Sequence, residues 1–389
     1  MRAVNPRARC AYTLRRQKKM KKTLIALAAM APFAAAQAQS TVTLYGILDT
    51  SISIGDSGGP EGRVTRIDSG TGAGSRWGMR GAEDLGGGLN AVFTAESGFD
   101  ASTGASQQGG LLFGRQIFVG LTSKSGWGVT LGRQLSPSNT AMAAVDAMGQ
   151  NHWGSTSNSG IGTLQSPGAA GVQGAGCQGA TTRINNSVMG TYSSSGFTGR
   201  LLLGAGDENA QKSGRVLSPS LTYESGPLTL TAAYTRIGQC TQDIPAASRP
   251  GWQTETVVGG AYNFGPAALF AGYYNFNPSE NNKVVGPATF TNHRLAWLGT
   301  RIPVGAVGTV KAQVAQFRQE MSGGEAKGTS LGVAYLHGLS KRTTLFVSAA
   351  RMNNNDKASF GLVGATASQP AGGLGLDPQV VSFGITHVF

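Results

Sequence analysis

The chain has 389 residues, with 32 Lys and Arg against 19 Asp and Glu for a formal net charge of +13, and 59 glycines. Much of that excess lies in residues 1–38, which hold nine basic residues and no acid; residues 39–389 carry 23 basic against 19 acidic side chains, a net +4. So small a surplus, with no Lys/Arg stripe interleaved with aromatics, removes nucleic acid from the expected partners.

The chain opens on an addressing segment. Arg15, Arg16, Lys18, Lys19, Lys21 and Lys22 lead into an apolar run, Leu24 to Ala36, that is too short to span a bilayer and ends in Ala36-Gln37-Ala38, an A-x-A cleavage pattern. Residues 1–38 therefore read as a leader with a signal peptide. Met20, followed by two lysines, is the more natural start, so residues 1–19 read as an overextended beginning. Residues 39–389 form a single domain with no plug segment ahead of its first strand. Past Ala36 there is no apolar run of 18 residues, so no membrane helix is expected. A mean hydropathy of −0.10 does not exclude a membrane barrel, in which only alternate residues face lipid.

The first element, TVTLYGILDTSISI, places Val42, Leu44, Leu48, Ile52 and Ile54 on one face and Thr43, Tyr45, Asp49, Ser51 and Ser53 on the other. That period of two is the pattern of a strand with one apolar and one polar side. It ends in GDSGGP, Gly55 to Pro60, a string found around serine-protease nucleophiles, and it also fits the hydrolase elbow with Ser57 as nucleophile. The context does not support either use. No histidine precedes Ser57, as the His…Asp…Ser order requires, and the following PEGRVTRIDSGTGAG lacks the helical period an elbow needs. Gly, Asp, Ser and Pro are also what an exposed turn selects.

Further strands follow at short intervals, among them LTLTAAYTRI from Leu228 and VKAQVAQ from Val310. Seven connections are short and centred on Gly or Pro: DLGGG, SKSG, SSSG, SGP, FGP, PVGAVG and GLSK. Eight longer polar links alternate with them, centred near residues 60, 106, 160, 209, 245, 284, 323 and 365. This alternation predicts sixteen antiparallel strands in an all-β transmembrane barrel with short turns on one side and long loops on the other. A barrel of about 16–18 strands encloses a water-filled channel. The third long link, Leu135 to about Thr182, exceeds an ordinary loop and contains SNTAMAAVDAMGQNHWG, a short helical signal. Its apolar residues predict a loop folded into the pore. Cys177 and Cys240 are the two cysteines after the leader; one disulfide and two unrelated thiols both fit their spacing. Neither cysteine has the neighbours of a metal site, and no cofactor is expected.

VTLYGILDTSISI, GSRWGMRGAEDLGGGLNAVFTAESGFD, FGRQIFVGLTSKSGWGVTLGRQ, NNSVMGTYSSSGFTG and the terminal VSFGITHVF, taken in order, resemble the general porins of Gram-negative β-proteobacteria over essentially the whole exported chain. The resemblance implies a homotrimer of barrels in outer-membrane lipid, passive diffusion of small hydrophilic solutes and ions, and no enzymatic activity. It also implies a terminal Phe389 read by the barrel-assembly machinery. Arg76 and Arg115 match the family's pore-wall arginines, Arg183 is a further candidate, and Glu96 and Asp49 match wall acids. Between Leu135 and Thr182 the only acid is Asp146, which implies a more positive constriction and a modest anion preference. Alternation puts Arg76 toward the lumen. Arg115 shares parity with Ile117, Val119 and Leu121, so either apolar residues line the wall there or a bulge shifts the register. A substrate-specific channel and a hydrolase using Ser57 are the alternative functions.

Overall fold

The structure, a computed structural model, describes residues 41–156, 182–205, 215–238, 252–278, 292–321 and 324–389. The leader, the links 206–214, 239–251 and 279–291, and both Cys177 and Cys240 lie outside the described residues. In chain order the strands are β1 (Thr41–Asp56), β2 (Arg63–Ser69), β3 (Arg76–Gly86), β4 (Leu89–Gly98), β5 (Gln116–Ser123) and β6 (Trp127–Leu135). The helix α1 (Pro137–Ala144) follows, then β7 (Arg183–Ser194), β8 (Phe197–Gly204), β9 (Val216–Ser225), β10 (Leu228–Gly238) and β11 (Trp252–Asn263). The remainder are β12 (Ala268–Pro278), β13 (His293–Val304), β14 (Gly308–Met321), β15 (Gly324–Gly338), β16 (Thr343–Asn354), β17 (Leu362–Val363), β18 (Ser368–Gln369) and β19 (Gln379–Val388).

Sixteen of these strands form one closed antiparallel wall. β1 pairs with β3, every strand from β3 to β16 pairs with the next, β16 pairs with β19, and β19 returns to β1 with Ile47 opposite Val388. β2 is an extra strand that the sequence pattern did not separate from its loop; it folds back along the outer part of β1, from Asp56↔Arg63 to Thr50↔Ser69. β17 and β18 make a small ribbon inside the last long loop.

The burial pattern is inverted relative to a protein that folds in water. Leu44, Leu48, Ile52, Leu201, Leu221, Leu298 and Leu331 are exposed, while Ser53, Ser218, Thr235, Gln313 and Ser382 are buried. An apolar outer face removes the desolvation cost of polar groups in lipid, where the wall strands satisfy one another's backbone and no edge remains. The inner face is held by polar pairs across strands: Ser53 to Ser382 at 2.6 Å, Ser218 to Thr235 at 2.6 Å, and Thr222 to Thr231 at 3.1 Å.

All seven short connections fall where the Gly and Pro signals put them. Ser195 (φ 51°) and Gly196 (φ 83°) joining β7 to β8 are both left-handed, the geometry a two-residue hairpin needs to match strand twist. One of the eight long links is a correction. Near residue 323, β14 and β15 stay paired to Met321↔Gly324, so only residues 322–323 separate them.

Two long loops have extensive contacts with the inner face. Ser136 caps α1, accepting from Asn139 N–H at 3.1 Å. Ser138 then bonds Thr235 of β10, Trp297 of β13 donates to Val145 O at 2.8 Å, and Ala147 N–H donates to Gln313 of β14. Trp153, fully buried, donates from its indole to Ser382 of β19 at 2.7 Å and from its backbone to Ser348 of β16. Residues 355–378 turn back as well. Phe360 packs on Phe317, and Thr366 N–H donates to Gly70 O.

Candidate pore constriction

β3 to β7 are five neighbouring wall strands, and they bring four arginines to one side of the interior. Arg76 opens β3 on the inward parity; its Nε donates to Gly74 O at 3.0 Å. Arg115 stands one residue before β5, so the alternation of Ile117, Val119 and Leu121 does not bind it. Its backbone N–H bonds Glu96 O, and its Nε meets Glu96 Oε1 at 2.7 Å. The open question of its facing is thus resolved by where the strand begins, and no bulge is involved there.

The bulge lies one strand further on. The β6–β7 register shifts between Gly132 and Gln134, with Gly132 at φ +136°. Arg133, which shares parity with the exposed Val129 and Leu131, is thereby turned inward and is 9% exposed. Its Nε donates to Gly114 O at 2.8 Å, and its Nη1 bonds Asn185 Oδ1. Sequence alternation missed this residue, although a glycine directly before it was a local hint. Arg183 opens β7. It is half-buried, its Nε has no hydrogen-bond partner among the described residues, and it lies within electrostatic reach of Arg76, Arg115, Arg133 and Glu96.

Glu96 is the one carboxylate in this group. It is 5% exposed, and it accepts from Arg115 and from Tyr45 Oη at 3.0 Å. The other two expected acids do not point at the passage. Asp49 is inward but fully buried, where its carboxylate accepts from Gly72 N–H at 3.0 Å and Thr386 Oγ1 at 2.5 Å. It pins the turn 70–75 against the wall. Asp146 is also fully buried. It accepts from the N–H groups of Met148 (2.9 Å), Gln150 (2.8 Å) and Thr156 (3.0 Å), and from the Thr156 hydroxyl. Its charge is spent holding its own loop together.

Two further cations escaped the sequence reading. Arg301 of β13 donates to the carbonyls of Asp146 (2.7 Å) and Ala147 (2.6 Å), and Lys311 of β14 donates to Met148 O at 3.2 Å. They clamp the loop from the side opposite the arginine group. Loop residues 136–156 thus lie along β9 to β19, and the arginines along β3 to β7. Ser57 sits in the turn after β1; its Oγ accepts from Gly59 N–H at 3.3 Å, and its carbonyl accepts from Gly372 N–H at 2.8 Å.

A closed sixteen-strand wall with an apolar outside and charged side chains inside defines a channel protein of an outer membrane. The chain belongs to the Gram-negative porin family, whose model matches residues 23–357. Outer membrane porin protein 32 of Delftia acidovorans is 34% identical over 383 residues, covering 95% of this chain and all of that one. An outer membrane porin protein of Bordetella pertussis is 31% identical over 386 residues, covering 86% of this chain and 95% of the relative. Among solved structures, the anion-selective porin from Comamonas acidovorans matches with a TM-score of 0.70 at 26% identity, over 90% of this chain and 100% of that one. The protein is an outer-membrane diffusion porin.

Proposed function

We propose that the passage is narrowest between Arg76, Arg115, Arg133 and Arg183 on one side and loop 136–156 on the other, and that it prefers anions. The carrying observation is the imbalance of charge. Four guanidinium groups stand against two carboxylates, Glu96 and the buried Asp49 within electrostatic reach of Arg76, while the loop's single acid, Asp146, is turned into its own backbone. Fixed charges beside a water-filled passage favour counter-ions and polar solutes, which exchange hydration for side-chain contacts; apolar molecules make no such exchange. The Comamonas relative's title names it anion-selective, in keeping with this reading.

A reversal potential measured across a planar bilayer in a KCl gradient tests it. Chloride should carry more current than potassium, and the preference should fade at high salt as the Debye length drops from about 10 Å at 0.1 M to about 3 Å at 1 M. A cation preference overturns the proposal. The same reading holds that no covalent chemistry occurs at Ser57, so labelling of Ser57 by a fluorophosphonate probe contradicts it. The resemblance to β-proteobacterial general porins adds a homotrimer and recognition of Phe389 by the assembly machinery. Cross-linking of intact outer membranes that gives only monomer removes the trimer.

A further inference from the structure

On the short-turn side of the arginine group the inner wall of β5 to β8 changes character. Its inward residues form rows across the strands. Phe118 of β5 stands opposite Gly132 of β6. One row nearer the short turns, Gly120 leads through Thr130 to Met189 of β7. The row after that runs Thr122, Gly128, Thr191 and Arg200, ending on β8. Gly128 carries no side chain, and the wall dips there into a groove of ≈ 430 Å³ that includes Phe118, Met189 and Arg200 in its lining. The groove starts at Gln116, the residue after Arg115, and reaches Gly126 and Ser193 in the short turns. Leu135 and Thr140, at the start of the third long loop, close its upper edge. It is thus continuous with the arginine group and lies beneath the loop.

Two features set this groove apart from a wall that only has to be wet. Phe118 and Met189 are half-buried apolar side chains on the inward face, and Met189 rests on a buried cluster of Ile184, Leu202, Val216 and Ile237. Arg200 is also half-buried; it makes no hydrogen bond among the described residues and feels the Glu224 carboxylate only at a distance. Met189 and Arg200 are diagonal neighbours on adjacent strands, about 7–8 Å apart. The Thr130 hydroxyl between Gly120 and Met189 is committed to Gln134 Oε1 at 2.6 Å, so the hydroxyls left to a ligand are those of Thr122 and Thr191 in the Arg200 row. A site that is apolar at one end and cationic at the other, with a volume in the range of ordinary ligand pockets, is complementary to a ring bearing a carboxylate. A wholly hydrophilic anion gains from Arg200 alone and leaves Phe118 and Met189 wet. A neutral apolar molecule covers them but gives the guanidinium no counter-ion. Only a molecule with both parts uses a bidentate guanidinium contact together with ring-on-ring and sulfur-on-ring contacts.

We infer that the inner wall of β5 to β8 is a binding subsite for small aromatic carboxylates, with the ring between Phe118 and Met189 and the carboxylate on Arg200. The inference rests on the chain being a diffusion porin, and not on which ion the constriction prefers. The test uses the full protein, purified as its native oligomer and reconstituted in planar bilayers. Its chloride conductance is titrated with benzoate, with acetate, which keeps the charge without the ring, and with benzamide, which keeps the ring without the charge. Benzoate should lower the conductance with its half-effect at about a tenfold lower concentration than either comparator, as one ring contact and one charge-assisted pair allow. F118A should abolish the advantage over acetate, and R200Q the advantage over benzamide. Benzoate no more effective than acetate, benzoate no more effective than benzamide, or an advantage that survives its substitution overturns the inference. If F118A does not assemble, M189T should weaken the benzoate effect several-fold; an unchanged effect overturns the inference. The reversal potential in a KCl gradient keeps the two readings apart. Cation preference with benzoate discrimination intact removes the charge reading of the constriction and upholds the subsite, whereas anion preference without that discrimination removes the subsite alone.

Discussion

Arg115 and Arg133 both reach the interior by escaping strand alternation, one by preceding its strand and the other by riding a bulge at Gly132. Arg133 is a useful probe because its removal leaves the Arg115–Glu96 pair intact. A unit charge at roughly 7 Å in water is worth about 0.6 kcal/mol, close to threefold in an ion's local concentration. R133Q should therefore lower chloride and raise potassium locally by about that factor each, so that the chloride-to-potassium permeability ratio falls roughly sevenfold at low salt, read from the reversal potential; an unchanged ratio places Arg133 away from the ion path. His152 offers a second measurement, of stability. Its backbone N–H donates to Thr71 O at 2.7 Å, and its ring lies 5.1 Å from Phe346. Burial, aided by the nearby Lys311 charge, pushes its pKa down from 6.5 to about 3. A histidine held neutral stabilises the docked loop above its ordinary pKa, and that contribution falls away as pH drops from about 6.5 toward 3. Between pH 7 and pH 5 the opening equilibrium should rise roughly 25-fold by proton linkage, seen as a matching loss of amide protection in residues 145–156 once exchange is corrected for its intrinsic slowing at lower pH. H152Q should remove the pH dependence, and a variant that keeps it shifts the cause to another group.

At the scale of elements, the loop's docking depends on glycine where two backbones meet. A Cβ on Gly332 would lie 2.4 Å from Trp153 O and 2.7 Å from Gly154 Cα, both backbone atoms that cannot swing away. G332V should therefore lift the Trp153 end of the loop without altering any charge on the wall. Conductance and the cut-off in liposome swelling should change while the sign of ion selectivity is kept. An unaltered cut-off would mean that the loop does not set the bore. The wall and its turns were legible in sequence because their determinants are local: apolar residues at every second position, and Gly or Pro at the seven tight connections. The docking of the loop was only partly legible. Trp153 finds Ser382 across 229 residues of chain, and Arg301 and Lys311 serve the loop from strands whose alternation identifies only their facing. Asp146 misled for a related reason. Its residue type suggested a charge in the passage, but three backbone N–H groups nearby in the chain claim both of its oxygens. Arg133 was hidden by a register shift that alternation takes for granted.

For the whole molecule, everything depends on one closure between the chain's first and last strands. β19 pairs with β1 over ten positions, Ile47↔Val388 to Asp56↔Gln379, and beyond that ladder the terminal residue makes a further contact. Phe389 N–H donates to Gly46 O and Gly46 N–H to Phe389 O, both at 3.1 Å. Gly46 carries the outward parity of Leu44 and Leu48 but has no side chain; a Cβ there would stand 2.1 Å from Phe389 Cζ. The ring therefore lies across the first strand in a seat that only glycine provides. Two substitutions separate this role from recognition of the C-terminus by other proteins. F389A removes both the tag and the ring, whereas G46V leaves the last ten residues untouched and blocks the seat. Both should reduce the fraction of heat-modifiable, protease-resistant barrel in outer-membrane preparations. If G46V assembles at the level of the unaltered protein while F389A does not, Phe389 acts only as a tag, and its seat on β1 contributes nothing to closing the barrel.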